Sequence, residues 1–525
     1  MMTTKERMNM ERVAIIDLGS NSVRFIIMQI RSGGAYQLIY QEKKAIRLSE
    51  GMTQDGMLLT EAAQKRAISC LKVYAHIAAV QKTTKILAVA TAAVRNARNG
   101  SSFIKRVRTA TGLPMTVISG REEARLGYLG VVNTIPLSDF ILFDLGGASI
   151  EISLVKERKR LHSVSIPIGA VTLTEKFGAS GTVSASLRNE ISSYVRGELE
   201  KLPWLKDAGL PVVGVGGTVR NLAKIHQRRM DYPIPKLHNY QLPASDLFSL
   251  TDEISSKTCS ERKRISGLSV DRADIIVAGT LLISELVRLA GAKDLTISGC
   301  GLREGLFFHY YSPLYMNGRL WPKDMLLASV LNYRHTLPLD DFRHTRYVTA
   351  LALSMFDQWG KIHHFSPRER QLLMAAGLLH DIGTLVNYYS HARHSAYMIA
   401  NAHLFGLSHK EQLMCALIAA FHHGYSGKTT RYSSYIRLLT REELQRTKKL
   451  AIFLAIAEGL DESHERCVTR LVCSSSPETA DLRIYVNQDD FEVPAHAIAP
   501  FTRPFEKLFE RPLSVQWFPG AKARK

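Results

Sequence analysis

The sequence predicts an α/β fold built twice, followed by a helical region and a small α+β appendage. Three observations predict it. The stretch IIDLGSNSVRFII at 15–27 returns as LFDLGGASIEISL at 142–154, 127 residues on, with the same order: apolar-apolar-Asp-Leu-Gly, small residues, then alternating apolar positions. One Asp-Gly turn means little, but two in the same setting mark an internal duplication. Around the two copies, runs of period two alternate with runs of period 3.6, as α/β units require. Beyond about residue 320 the pattern turns helical and histidines accumulate: eleven of the chain's 18 lie between 335 and 423.

The elements follow in order. Residues 12–49 alternate as strands, with Gly33-Gly34 as a hairpin turn. Residues 60–81 carry Ala67, Leu71, Tyr74 and Ile77 on one side of a helix. KILAVATAAVRNA (85–97) reads as a strand entering a helix, and PMTVISGREEARLGYLGVV (114–132) as strand, tight turn and helix. A first α/β domain thus covers 1–135. A second, opening on FILFDLGGAS and containing VVGVGGTVRNLA (212–223), covers 136–312. A helical domain follows over 320–468. In 469–525 the runs LRIYV, FEV and LSVQWF are expected as strands of a small appendage.

Composition bounds the function. A chain of 525 residues exceeds a single core and implies three or four domains. Its 46% hydrophobic and 22% charged residues are those of a folded soluble protein. No stretch approaches the roughly 18–20 apolar residues that span a bilayer, so no membrane role is expected. The opening MMTTKERMNMERVAII lacks the apolar run and small-residue cleavage site of a secretion signal. Six cysteines (70, 259, 300, 415, 467 and 473) form no CxxC pair, which suggests reduced thiols in a cytoplasm. The net charge of +20 favours a polyanionic partner. Its clusters are dispersed: KERKR at 156–160, HQRR at 226–229, ERKR at 261–264 and AKARK at the end. Charge alone does not separate nucleic acid, phosphate polymers and membrane surfaces.

The small-residue turns narrow the choice. Glycine and small residues after a buried strand let backbone N–H groups form an anion-binding nest. A flanking Asp at the strand end can hold hydrated Mg²⁺. Asp17 with Gly19, Ser20, Asn21 and Ser22 makes one such turn, and Asp144 with Gly146, Gly147, Ala148 and Ser149 a second. GVGGT at 214–218, with Gly216, Gly217 and Thr218, offers a third. Three turns from a duplicated fold could surround one phosphate chain from several sides. In Gly120-Arg121-Glu122-Glu123 either acid could complement a helix dipole, or a carboxylate facing a cleft could activate water.

The two DLG motifs and VGVGGT resemble the actin/sugar-kinase/heat-shock ATPase superfamily, whose duplicated halves clasp phosphates. More specifically, DLGSNSVR, VISGREEARLGYLGV, DLGGASIE and LREG resemble the exopolyphosphatase/guanosine pentaphosphate phosphohydrolase (Ppx/GppA) family over residues 11–310. The resemblance implies actin-like (ribonuclease H-like) domains, Mg²⁺ dependence and homodimers. It makes Glu123 the catalytic base and gives Glu151 a supporting role. The family usually has glycine where this chain has Ala148. Arginines pair bidentately with phosphate, and Arg24, Arg95 and Arg303 are the candidates. Asp144 is the candidate Mg²⁺ ligand.

In the histidine-rich region, His344, His380-Asp381, His394, His422-His423 and Asp461 follow one another on successive helices. The series resembles the HD phosphohydrolase superfamily, in which imidazoles and carboxylates gather around a divalent metal. It implies an all-α HD-like domain with His344, His380, Asp381 and Asp461 as ligands of a second metal. His391, His403 and His409 receive no role. Ppx/GppA proteins commonly carry an HD-like third domain whose metal motif has decayed, so an architectural role stands beside the metal. The leading expectation is an exopolyphosphatase releasing orthophosphate from inorganic polyphosphate. Guanosine pentaphosphate (pppGpp) is the alternative substrate, and a non-catalytic polyphosphate or alarmone sensor is the alternative class. A kinase of the same superfamily fits the Glu122-Glu123 pair less well, and no specific nucleic acid is expected.

Overall fold

The first apolar run forms strand β1 (Glu11–Leu18), turns over residues 19–21 and returns antiparallel as β2 (Ser22–Ile30), which pairs with β3 (Tyr36–Ala45). Helix α1 (Glu61–Val80) crosses over, capped by Thr60, whose hydroxyl accepts from Ala63 N–H at 3.3 Å. It buries Ala67, Leu71 and Tyr74 on the face expected, with Ile77 at that face's edge. The chain then adds β4 (Lys85–Ala90) parallel to β1 and β5 (Met115–Val117) parallel to β4, giving the order β3-β2-β1-β4-β5.

The second half repeats the plan. Strands β6 (Phe140–Leu145), β7 (Ile150–Lys156) and β8 (Lys159–Ile166) form an antiparallel meander. Strand β9 (Val212–Gly216) joins β6 in parallel as β4 joins β1, and β10 (Tyr240–Pro243) and β11 (Asp294–Ile297) extend the sheet to β10-β11-β9-β6-β7-β8. The structure, a computed structural model, describes residues 10–52, 56–339, 342–422, 433–487 and 491–519. It divides into two compact units, Met1–Met325 and Leu326–Lys525.

Two helices fuse the halves of the first unit. Helix α2 (Gly120–Val132) follows β5 in the chain yet lies on the second sheet, where Tyr128 Oη donates to Arg158 C=O at 2.6 Å. Helix α3 (Gly217–Arg229) follows β9 directly. Helix α4 (Leu302–Tyr315) follows the second sheet yet reaches the first, where Tyr311 Oη donates to Gly34 C=O at 2.6 Å. Helices α2 and α4 touch backbone to backbone: a Cβ on Gly305 would lie 1.7 Å from Leu126 C=O. Val13, Ile15, Leu126, Leu142, Val213 and Phe307 share the resulting core.

After a helix over Met325–Thr336, the second unit runs through helices α5 (Phe342–Gln358), α6 (Pro367–Leu379), α7 (His391–Asn401), α8 (His409–Ala420) and α9 (Arg441–Gly459). Strands β12 (Val468–Ser475), β13 (Ala480–Val486) and β14 (Leu513–Pro519) follow in the order β12-β13-β14. LRIYV and LSVQWF lie in β13 and β14. FEV is not a strand: Glu492 opens helix α10 (Glu492–Ile498), with the acid and Pro494 in its first turn, where both are favourable. Phe491 instead stacks on Trp517, ring centres 5.0 Å apart. This sheet shares one core with the helices through Trp359, Phe453, Leu482 and Ile484. No helix among the described residues is long and apolar enough to cross a membrane. All six cysteines are free thiols.

Candidate functional site

The duplication is exact in register. Asp17 stands opposite Arg24 across β1 and β2, and Asp144 opposite Glu151 across β6 and β7. Both turns close the same way, Gly19 N–H on Ser22 C=O at 3.1 Å and Gly146 N–H on Ser149 C=O at 2.9 Å. They meet tip to tip: a Cβ on Gly147 would lie 3.1 Å from Ser20 Cβ and 3.8 Å from Asn21 N. Ala148 is buried in the second turn, beside Ser149. The third turn ends β9 at Gly216, whose φ of +123° and approach to Leu145 C=O, 2.4 Å from a would-be Cβ, exclude a side chain. Gly217 and Thr218 then open α3. Asn21 Nδ2 and Thr218 Oγ1 are buried without a hydrogen-bond partner. Orphaned buried polar atoms in two of the three turns suit a polar ligand.

The carboxylates separate by environment. Glu122 turns outward, bridging Arg125 at 2.7 and 2.8 Å, and this holds its carboxyl below the ordinary range. Glu123 turns inward, its side chain 14% exposed, and takes Arg95 Nη1 at 2.9 Å. Burial and then the charge of Glu151 raise its pKa well above the usual value. Glu151 accepts from Ser149 Oγ at 2.8 Å and Ser165 Oγ at 2.7 Å, both on Oε1. Burial and Asp144 push Glu151 up to about 7. Burial, joined by Asp17, pushes Asp144 up to about 6 against the pull of Arg24. Asp17 is raised by burial as well. Three buried acids on facing strands thus hold protons more tightly than usual, as groups poised for proton transfer or cation binding do.

Arginines converge beside them. Arg24 and Arg303 lie close to Arg220, and Arg24 to Arg272; Arg220 and Arg272 are two residues the sequence reading missed. Burial first, then Arg24, Arg303 and Arg272, pull Arg220 down to about 9. Burial and Arg24 pull Arg272 down to about 10. Arg272 and Arg303 are only 7% and 6% exposed. Arg303 has Glu304 at 3.5 Å, but that acid also caps α4 through Gly301 N–H at 2.8 Å. The available signal for Arg220 was a base in the first turn of a helix opening on a glycine turn. Arg272 carried no local signal.

The helical unit gathers a second cluster. His344 Nε2, His380 Nε2 and a Glu458 oxygen group closely enough to hold one ion, as do His380, Asp381 and His422. Glu458 lies 2.9 Å from His380 and 3.3 Å from His344. Asp461 stands one step back: Oδ2 takes His344 Nδ1 at 2.8 Å and Oδ1 takes Arg466 N–H at 2.7 Å. His391 joins the cluster, 3.1 Å from His422 and 3.3 Å from Asp381. His394 is half-buried outside both trios, and His423 lies outside the described residues. Glu458 was legible only as the lone acid ending the apolar run AIFLAIAEG.

Two mixed sheets built on one plan, with glycine turns meeting between them, define an actin-like α/β protein. The chain belongs to the Ppx/GppA phosphatase family, whose sequence model matches residues 26–312. A model of Ppx/GppA phosphatase domain III matches residues 328–493. The crystal structure of the Aquifex aeolicus member of the Ppx/GppA family is 30% identical with a TM-score of 0.51, covering 59% of this chain and 99% of that one. The crystal structure of an exopolyphosphatase from Cytophaga hutchinsonii is 25% identical with a TM-score of 0.54, covering 59% of this chain and 100% of that one. This chain is accordingly a phosphohydrolase.

Proposed function

We propose that the first unit hydrolyses terminal phosphoanhydride bonds of inorganic polyphosphate and releases orthophosphate. The observation that carries this reading is the convergence of Arg24, Arg220, Arg272 and Arg303, whose mutual repulsion a polyanion relieves. The net charge of +20 draws the same ligand to the surface. The turns at Gly19, Ser20, Asn21 and Ser22, at Gly146, Gly147 and Ala148, and at Gly216, Gly217 and Thr218 cradle the phosphates. Arg95 holds Glu123 in place. Glu123 takes a proton from water as the water oxygen bonds to the terminal phosphorus and the bond to the next phosphate breaks. Glu151, held by Ser149 and Ser165, orients that water.

Asp17 and Asp144 are hard oxygen donors at equivalent strand ends, and the close ligand trios among the described residues lie instead in the helical unit. Such a donor set fits hydrated Mg²⁺ held by one or two carboxylates and the substrate. When bound, the ion would neutralise charge developing on the phosphates. The helical unit is read as HD-like with a second divalent metal, and the protein as a cytoplasmic homodimer.

Guanosine pentaphosphate remains the second substrate reading, favoured by Arg24 beside the first turn. Orthophosphate release measured with Mg²⁺ on long-chain polyphosphate and guanosine pentaphosphate in parallel tests both. Faster release from polyphosphate is expected, and faster release from the nucleotide reassigns the substrate. Binding without release from either overturns the hydrolase reading in favour of a sensor.

A further inference from the structure

We propose that a basic groove between two helices of the first half is a second, non-catalytic binding site for long-chain polyphosphate, holding the chain while its end is hydrolysed elsewhere. This rests on the reading of polyphosphate as the substrate. Helix α1 places Lys65, Ser69 and Lys72 on one stripe, at spacings of four and three residues, opposite the stripe that packs Ala67, Leu71 and Tyr74 into the core. The helix over Gly100–Thr111 does the same, turning Phe103, Ile104 and Val107 inward and Ser102, Lys105 and Thr109 to solvent. Both solvent stripes line one groove of about 640 Å³.

No acid lines this groove. The two helices carry six Lys and Arg against a single Glu, so the field above them is positive. That acid, Glu61, gives both oxygens to Arg106, each at 2.8 Å. Lys65, Lys72 and Lys105 are thereby left without an ion pair among the described residues. Lys65 and Lys72 stand two helical turns apart, about 10 Å along the axis. A compact anion cannot engage both, whereas an extended chain of phosphates can.

The lining holds no aromatic side chain on which a base could stack, which favours a phosphate polymer over single-stranded nucleic acid. None of its residues belongs to the glycine turns or to the arginine cluster. A chain held in the groove and in the cleft at once presents its end at a raised effective concentration. The groove therefore lowers KM for long chains and leaves short ones unaffected.

The test compares the full wild-type chain with one combining Lys65→Gln, Lys72→Gln and Lys105→Gln, its folding checked by circular dichroism. Equilibrium binding of long-chain polyphosphate in chelator, where no turnover is needed, is expected to weaken about 10-fold. The slope of log affinity against log salt should fall by about two. With Mg²⁺, KM for long-chain polyphosphate should rise to match, with kcat and the turnover of tripolyphosphate unchanged. Unchanged binding in the folded variant, or loss of tripolyphosphate turnover, overturns the proposal. So does single-stranded RNA that binds wild type as tightly as polyphosphate and is lost in the variant, since the groove would then be a nucleic-acid site. Lysine acetylation of the wild type, read by mass spectrometry, decides the matter should the variant not fold. Long-chain polyphosphate is expected to protect Lys65, Lys72 and Lys105, and unprotected lysines overturn the proposal. Absence of orthophosphate release from any chain would sink the hydrolase reading, while weaker binding by the variant would still support the groove.

Discussion

Arg95 Nη1 lies 2.9 Å from Glu123 Oε2 and donates from the same nitrogen to Ile118 C=O, also at 2.9 Å. The backbone bond anchors the guanidinium, so the ion pair fixes where the Glu123 carboxylate points. It also opposes the burial that raises the Glu123 pKa. Removing Arg95 therefore acts on both position and ionisation. Arg95→Ala is expected to lower kcat about 10- to 100-fold and to move the acidic limb of the pH–rate profile to higher pH. Arg95→Lys should restore the limb more than the rate, because a single ammonium cannot hold both acceptors in one plane. An unchanged limb in Arg95→Ala would remove Glu123 from the role of base.

Glu151 carries a stability prediction. Its pKa rises from 4.5 to about 7 on folding, through burial first and Asp144 second. Between those values the folded chain holds more protons than the unfolded one. The group's contribution is thus fully present below pH 4.5 and lost as pH rises through 7. Glu151→Gln cannot ionise and keeps an oxygen acceptor for Ser149 and Ser165. In metal-free buffer it is expected to be more stable than wild type at pH 8, by on the order of 1–3 kcal/mol, with no gain at pH 4. Denaturant melts at the two pH values check the sign.

The arginine cluster predicts a distinctive salt response. Arg220→Ala and Arg272→Ala are each expected to raise KM for polyphosphate about 10-fold while changing kcat less. Each should also flatten the dependence of KM on ionic strength. Equal losses in kcat and kcat/KM would place these residues at the transition state instead.

Gly216 is a purely steric prediction. With φ at +123° and Leu145 C=O 2.4 Å from the would-be Cβ, Gly216→Ala must separate β9 from β6. A loss of about 2 kcal/mol or more in stability is expected, measured by thermal or denaturant unfolding. Gly181, which has open space around its would-be Cβ, serves as the neutral control.

Much of this was legible because it is local. Strand alternation in 12–49 and the 3.6-residue spacing of Ala67, Leu71 and Tyr74 depend on neighbours a few residues away. FEV failed because three apolar-flanked residues carry too little pattern to outweigh an acid and a proline at a helix start. Glu458 and Asp461 were harder still: one closes a helix and the other lies just past its end, and which of them meets His380 depends on how α5, α6 and α9 pack.

By itself the sequence determined the duplication, the three glycine turns and the family, since each is written in contiguous residues whose spacing survives folding unchanged. Only the tertiary structure decided that Arg24 and Glu151, seven residues past equivalent aspartates, face one site with opposite charge. It alone brought Arg220 and Arg272 to Arg24, sent Glu122 outward and Glu123 inward, and put Glu458 between His344 and His380 with Asp461 on the far side of the His344 ring. The physical reason is that burial and charge proximity arise between side chains far apart in the chain, and local periodicity holds no record of them.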